Sequence, residues 1–130
     1  GKELLRINAK YYCVDATLRN LLVGNASCDT GHILENIVFL ELIRRGYTVY
    51  IGQLAKGEID FVAQKAGVTE YYQVSETVLD PNTLNRELAP LKAVQDQYPK
   101  FLLTLDELNK NANYDGIQQR NVLEWLLEAR

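Results

Sequence analysis

Three strand-like runs in succession, parted only by short turns, constrain this chain more than any other feature. Tyr47-Thr48-Val49-Tyr50-Ile51 is aromatic and β-branched throughout, the composition of a strand. Gln53 to Lys56 then turns into a second strand, Glu58 to Gln64. Lys65-Ala66-Gly67 is a hairpin-type turn, and Thr69 to Ser75 returns as a third. Parallel neighbours need a long crossover, so three strands this close together cannot be βαβ units. A helix comes next, capped by Asp80 with Pro81 at its first position and running to about Gln97. Its Leu84, Leu88, Leu91 and Val94 face inward. Pro99 marks the exit, and Lys100 to Thr104 reads as a fourth strand, free to lie parallel to a neighbour through a right-handed crossover.

The strongest helix precedes the first of these strands. Asp29 or Thr30 caps it, and Gly46 stops it behind Arg44-Arg45, whose charges suit a helix C-terminus. Ile33, Ile37, Leu40 and Ile43 or Arg44 recur at helical spacing, while Leu34, Val38 and Leu42 widen the apolar face toward burial on more than one side. Upstream, Tyr11 to Val14 reads as a short strand and Ala16 to Val23 as a brief helix. Downstream, Asn109 to Asn113 is a polar loop. Ile117 to Arg120 is a short fifth strand, and Val122 to Glu128 a final helix anchored by Trp125. The order helix, strand, strand, strand, helix, strand predicts an α/β fold, a mixed central sheet with helices on both faces. No repeat or linker divides residues 1–130, so one domain is expected.

Composition narrows the function classes. Hydrophobic residues at 47% and charged residues at 24% are ordinary for a globular chain. No apolar run approaches the ~20 residues of a membrane span, so neither a membrane partner nor a compartment other than the cytoplasm is expected. Cys13 and Cys28 are too few for a disulfide framework and read as reduced thiols. A net charge of −3 argues against an unaided grip on duplex DNA, where neutralising phosphates drives the affinity, but leaves room for a local basic strip. The opening at Gly1, in a chain without methionine, has the look of a piece taken from a longer polypeptide.

The second and third strands carry the candidate chemistry. Strict alternation puts Glu58, Asp60 and Val62 on one face of the second strand and Ile59, Phe61 and Ala63 on the other. On the third, Tyr71, Gln73 and Ser75 share a face opposite Tyr72 and Val74. If both polar sets point the same way, Asp60 and Gln73 converge near the point where the two strands diverge. Mg²⁺ takes carboxylate and carbonyl oxygens at about 2.0–2.1 Å. Asp60, the amide oxygen of Gln73 and the carbonyl of Val74 offer such a set, with Glu35 reaching in from the preceding helix. A carboxylate between Ile59 and Phe61 is costly unless satisfied, which makes Asp60 the principal candidate.

Gly57-Glu58-Ile59-Asp60 and Tyr72-Gln73-Val74-Ser75 resemble the second and third motifs of the PD-(D/E)XK nuclease superfamily, and the element order resembles its restriction-endonuclease-like core. Lys10 to Asp15, Gly31-His32-Ile33-Leu34-Glu35-Asn36, Glu41 to Tyr47 and Tyr98-Pro99-Lys100 to Asp106 are similar to one family in particular. It is the uncharacterised C-terminal domain carried by prokaryotic AAA+-type P-loop ATPases. The likeness covers Lys10 to about Leu127 and rests on motif order more than on any single motif. It implies an accessory domain that follows an N-terminal ATPase domain. It also implies Glu35, Asp60 and Gln73 as the site, and Mg²⁺ or Mn²⁺ as the metal if the site is active. No Gly-x-x-x-x-Gly-Lys-Ser/Thr occurs, so no P-loop for ATP is expected in this stretch.

Two departures count against catalysis. Gln73 stands where the family pattern has an acid, and Ser75 where it has the lysine that orients water and meets developing negative charge. Lys92, on the second helix, is the nearest replacement by element order. The expectation is therefore a catalytically degenerate module that binds DNA, a protein partner or a second copy of itself. The alternative is an active Mg²⁺- or Mn²⁺-dependent endonuclease with a rearranged site. His32, the only histidine, rules out a multi-histidine metal centre, and Ser75 has no acid–base partner in sequence for hydrolase chemistry.

Overall fold

A computed structural model describes residues 3–6 and 30–128 of the chain. The readings for Tyr11 to Val14, for Ala16 to Val23 and for Cys13 and Cys28 lie outside the described residues. In chain order the elements are β1 (Glu3–Arg6), α1 (Thr30–Arg44), β2 (Thr48–Leu54), β3 (Gly57–Lys65), β4 (Val68–Val74), α2 (Pro81–Ala93), β5 (Lys100–Thr104), β6 (Asn113–Tyr114), β7 (Ile117–Asn121) and α3 (Val122–Leu126). Among the described residues they build a seven-stranded sheet in the order β1-β2-β3-β4-β5-β7-β6. The first four strands form an antiparallel meander. β4, β5 and β7 then run parallel, and β6 closes the edge antiparallel to β7. The sheet is mixed and carries helices on both faces, as the element order predicts.

Each face has its own core. On one side Leu34, Val38, Phe39 and Leu42 of α1 meet Phe61, Ala63, Tyr72, Val74 and Leu103 of the sheet, with Val122 and Trp125 of α3 completing the layer. On the other, Leu88 and Leu91 of α2 cover Ile59, Val62, Tyr71, Leu102 and Ile117. Leu42, Leu91, Leu102 and Leu103 are fully buried, and each contributes about 1.5–3 kcal/mol of transfer free energy. The apolar α1 residues that go under are thus Leu34, Val38, Phe39 and Leu42, while Ile33, Ile37 and Leu40 remain half-buried and Ile43 is exposed. Helix α2 ends earlier than its pattern suggests, at Ala93, but Leu84 and Val94 still pack against its core.

Arg45 is no solvent-facing helix end. It is buried, its guanidinium 4.2 Å from the centre of the Trp125 ring. Nη2 donates to the Trp125 carbonyl at 2.6 Å and Nε to Glu41 at 3.3 Å. Arg44, exposed, forks onto the same carboxylate. The two guanidinium groups outweigh the burial that would push the Glu41 carboxyl up, and hold it below the ordinary value. Paired in this way, a buried guanidinium is tolerated; unpaired it would cost several kcal/mol.

One irregularity shapes everything that follows. Tyr50 pairs with Val62 but Gly52 pairs with Ile59, so a single β2 residue faces both Asp60 and Phe61 of β3. That is a β-bulge, which inserts a residue and re-aims the side chains beyond it. The strict alternation read from sequence fails here: Val62 joins Ile59 on the α2 side instead of following Asp60, while Phe61 and Ala63 face α1. Gly52 is the partner this requires. A Cβ there would lie 3.0 Å from Val62 Cγ2 and 3.1 Å from Ile59 Cβ.

Candidate functional site

The β3–β4 ladder stops at Phe61↔Tyr72, and β4 goes on to pair with β5 instead. At that fork the backbone loses its cross-strand partners, and buried amides must find others. Side chains supply them. The Asp60 N–H donates to Gln73 Oε1 at 2.6 Å, and the Val74 N–H donates to Asp60 Oδ2 at 2.9 Å. Asp60 and Gln73, the two strand residues singled out in the sequence, are therefore brought together, each holding the other's strand across the gap.

The far side of the Gln73 amide points to α2. Nε2 donates to Glu87 Oε2 at 3.2 Å and lies 3.5 Å from the Glu87 carbonyl. Burial pushes the Glu87 carboxyl above its ordinary range. Arg86 opposes that rise, the Glu35 charge adds to it, and the Gln73 hydrogen bond counters in part. Glu35 thus approaches from α1, on the opposite face of the sheet, closely enough for the two carboxylates to repel. Glu87 was not singled out in the sequence, although a signal was there. It falls three residues after Leu84 and four before Leu91, on the stripe that α2 buries.

The other candidates sit elsewhere or are engaged locally. Ser75 follows the end of β4; its hydroxyl donates to the Thr77 carbonyl at 3.0 Å and its N–H to Leu103. Lys92, the proposed stand-in for the motif lysine, does not reach the fork. It lies in the last turn of α2, five residues or about 7.5 Å of helix beyond Glu87. There it lines a hollow with Asp96, Lys100 and Asp115. His32 and Glu58 are exposed. A hollow of about 500 Å³ between Leu54, Lys56, Val94 and Asp96 is also remote from the fork and contains none of its acids.

A divalent cation fits this arrangement poorly. Gln73 Oε1 and Asp60 Oδ2 already accept short backbone hydrogen bonds. Among the described residues, no three His, Cys, Asp or Glu side chains converge as a metal-holding group. The positive end of the Gln73 amide dipole faces Glu87.

A second polar cluster stands at the C-terminal end of β5. Asp106 is buried and accepts from the Thr77 hydroxyl at 2.6 Å through Oδ1 and from the Val78 N–H at 2.8 Å through Oδ2. Its own N–H donates to Thr104 Oγ1, and Asn121 donates to its carbonyl. Gln119 bonds Thr104 and accepts from the Tyr114 hydroxyl. This clasp fixes the segment between β4 and α2, and so the position from which α2 presents Glu87.

The chain is 41% identical over 128 residues to an uncharacterized protein of Haemophilus influenzae, a match that takes in 98% of this chain and 31% of that protein. The chain therefore spans about a third of the relative's length. No protein-family model and no solved structure matches the chain. No helix among the described residues is long and apolar enough to cross a membrane.

Proposed function

We propose that this domain has a restriction-endonuclease-like core whose nuclease site is degenerate, and that it serves a longer ATPase-bearing polypeptide as a binding module. The observation that carries the reading is the state of Gln73. Its amide oxygen is taken by the Asp60 N–H, and its amide nitrogen faces Glu87. The Gln73 amide, which would help hold a cation, is spent on tying β3, β4 and α2 together. The relative's greater length is in keeping with a domain that works beside another.

Protein is the better-supported partner, ahead of DNA. Arg44 and Arg45 are committed to Glu41, Lys100 to Asp96, Lys110 to Glu107 and Glu124, and Arg120 to Glu128. Cations neutralised within the fold release few counterions from a phosphate backbone. A second reading, an endonuclease with a rearranged site, draws on Glu87. It brings beside Asp60 and Gln73 the second carboxylate that the strand lacks.

The two readings part in a cleavage assay on supercoiled and single-stranded DNA with Mg²⁺ or Mn²⁺. The degenerate reading expects no metal-dependent cutting by the wild type. Cutting that disappears in both Asp60→Ala and Glu87→Gln would overturn it and establish the second. Fluorescence anisotropy with labelled duplex at low salt tests the choice of partner; submicromolar binding would favour DNA.

A further inference from the structure

The clasp at the end of β5 has a feature that its structural role leaves unused. Beside it opens a hollow of about 120 Å³, with Asp106, Tyr114 and Gln119 among its polar walls and Leu79, Leu84 and Leu108 among its apolar ones. Small-molecule sites usually run to ~300–1,000 Å³, so this one has room for a single long side chain. It lies where ligands gather in sheets of this kind, beyond the carboxyl end of a parallel strand.

Its chemistry is uneven. Leu79 and Leu108, both among its walls, are 56% and 69% exposed, so the hollow is bordered by apolar surface open to a partner. The floor carries a carboxylate, Asp106, only 7% exposed and in no ion pair among the described residues. A carboxylate offers about four acceptor positions, and the side-chain bonds from Thr77 and Val78 use two. Asp80 and Glu107, both exposed, are each flanked in sequence by two residues of the hollow. The nearest lysine along the chain, Lys110, is held away by Glu124 at 2.6 Å and Glu107 at 3.4 Å.

We infer that this hollow receives a basic side chain from a partner polypeptide. The apolar stem of a lysine or arginine lies between Leu79, Leu84 and Leu108, and its cationic head meets Asp106, with Gln119 and Tyr114 beside it. Long basic side chains bury their stems while seeking a charged or wet end, and the Asp106 carboxylate, which no cation of the described residues pairs, selects them over acidic or neutral ones. The segment that supplies the side chain carries apolar neighbours to cover the two exposed leucines. This assignment stands apart from the fork: it uses none of Asp60, Gln73, Glu35 or Glu87, and it holds whether or not that site is degenerate.

The test is a ¹H–¹⁵N titration of the 130-residue chain with n-butylammonium and N-propylguanidinium. Neutral 1-butanol serves as control, followed by a leucine–lysine peptide and its norleucine-for-lysine counterpart. We expect saturable shifts at Leu79, Leu108, Tyr114 and the Gln119 side-chain amide with the cationic probes. We also expect at least tenfold weaker binding of the norleucine peptide. Leu108→Lys, at an exposed position that leaves folding intact, should cost at least tenfold in affinity by placing an ammonium at the mouth. Asp106→Asn should weaken binding in the same direction. Shifts spread over the acidic surface, equal binding of the norleucine peptide, or wild-type affinity in Leu108→Lys would each overturn the assignment.

Discussion

The fork between β3 and β4 and the clasp at the end of β5 meet the same need with the same group. In each, a strand leaves its partner and a carboxylate accepts the stranded backbone N–H: Asp60 from Val74, Asp106 from Val78. Their surroundings then differ. The fork gathers further acids, Glu87 and Glu35, and interposes a neutral amide. The clasp surrounds its one acid with hydroxyls, amides and leucines, and keeps a negative floor beneath an apolar mouth. The fork ties its strands and α2 together through the Gln73 amide, while the clasp leaves the Asp106 carboxylate beside a cavity.

Removing each acid tests that contrast most severely. Asp106→Ala strands two donors, a hydroxyl and a buried N–H, and should cost about 2–5 kcal/mol in urea unfolding. Asp60→Ala strands one backbone donor of β4 at a half-buried position and should cost about 1–2 kcal/mol. Equal losses would break the comparison. Gly52→Ala comes next, since its Cβ collides with Ile59 and Val62. We expect a loss of about 1–3 kcal/mol and perturbed amide shifts confined to Tyr50 to Val62. A silent substitution would mean that the bulge does not depend on its glycine.

The pH response sharpens the picture further. The Glu87 carboxyl is raised in the folded state, so above the ordinary glutamate range the native protein holds a proton that the unfolded chain has released. Stability therefore falls as pH rises through that window, and Glu87→Gln should remove the fall and leave the domain more stable at pH 7. Asp96 acts in the opposite sense. Burial pushes it up, but the Tyr71 hydroxyl, the Tyr98 N–H and Lys100 together hold it low, so its contribution is lost as pH falls through its folded value. Denaturation midpoints at pH 5 and pH 7 for wild type and Glu87→Gln isolate the first effect. If the two proteins keep parallel pH profiles, burial does not raise the Glu87 carboxyl. The smallest change is expected from Lys110→Ala, whose ion pairs with Glu107 and Glu124 lie at the screened surface, so its urea midpoint should stay close to that of the wild type.

The frame was legible from sequence where local chemistry decides it. Gly46, Lys65-Ala66-Gly67 and the Asp80-Pro81 cap placed the ends of α1, β3, β4 and α2 to within a few residues, because turns and caps depend on neighbours in the chain. What escaped depends on residues far apart. The inward face of α1 was ambiguous because the helix is apolar almost all round, and only the sheet chooses Leu34, Val38, Phe39 and Leu42. The bulge at Asp60–Phe61 breaks a period of two that sequence reading takes for granted. β6 is two residues long and leaves no pattern to read. At the site, Asp60 and Gln73 were found as a strand pair, but Glu87 lies 14 residues beyond Gln73 on another element. The Asp106 clasp draws on β5, β7 and the connection after β4, a grouping that no stretch of sequence displays.

The Arg45–Trp125 stack has a mechanical consequence. Arg45 follows the last turn of α1, and its guanidinium is clamped between Glu41 and the carbonyl and ring of Trp125 in α3. Glu35 rides on that same helix ten residues earlier, about 15 Å along its axis. A hydrogen-bonded helix is stiff over such a length, so α1 works as a lever arm with a bolted end. The anchor at Trp125 therefore fixes the helix from which Glu35 projects.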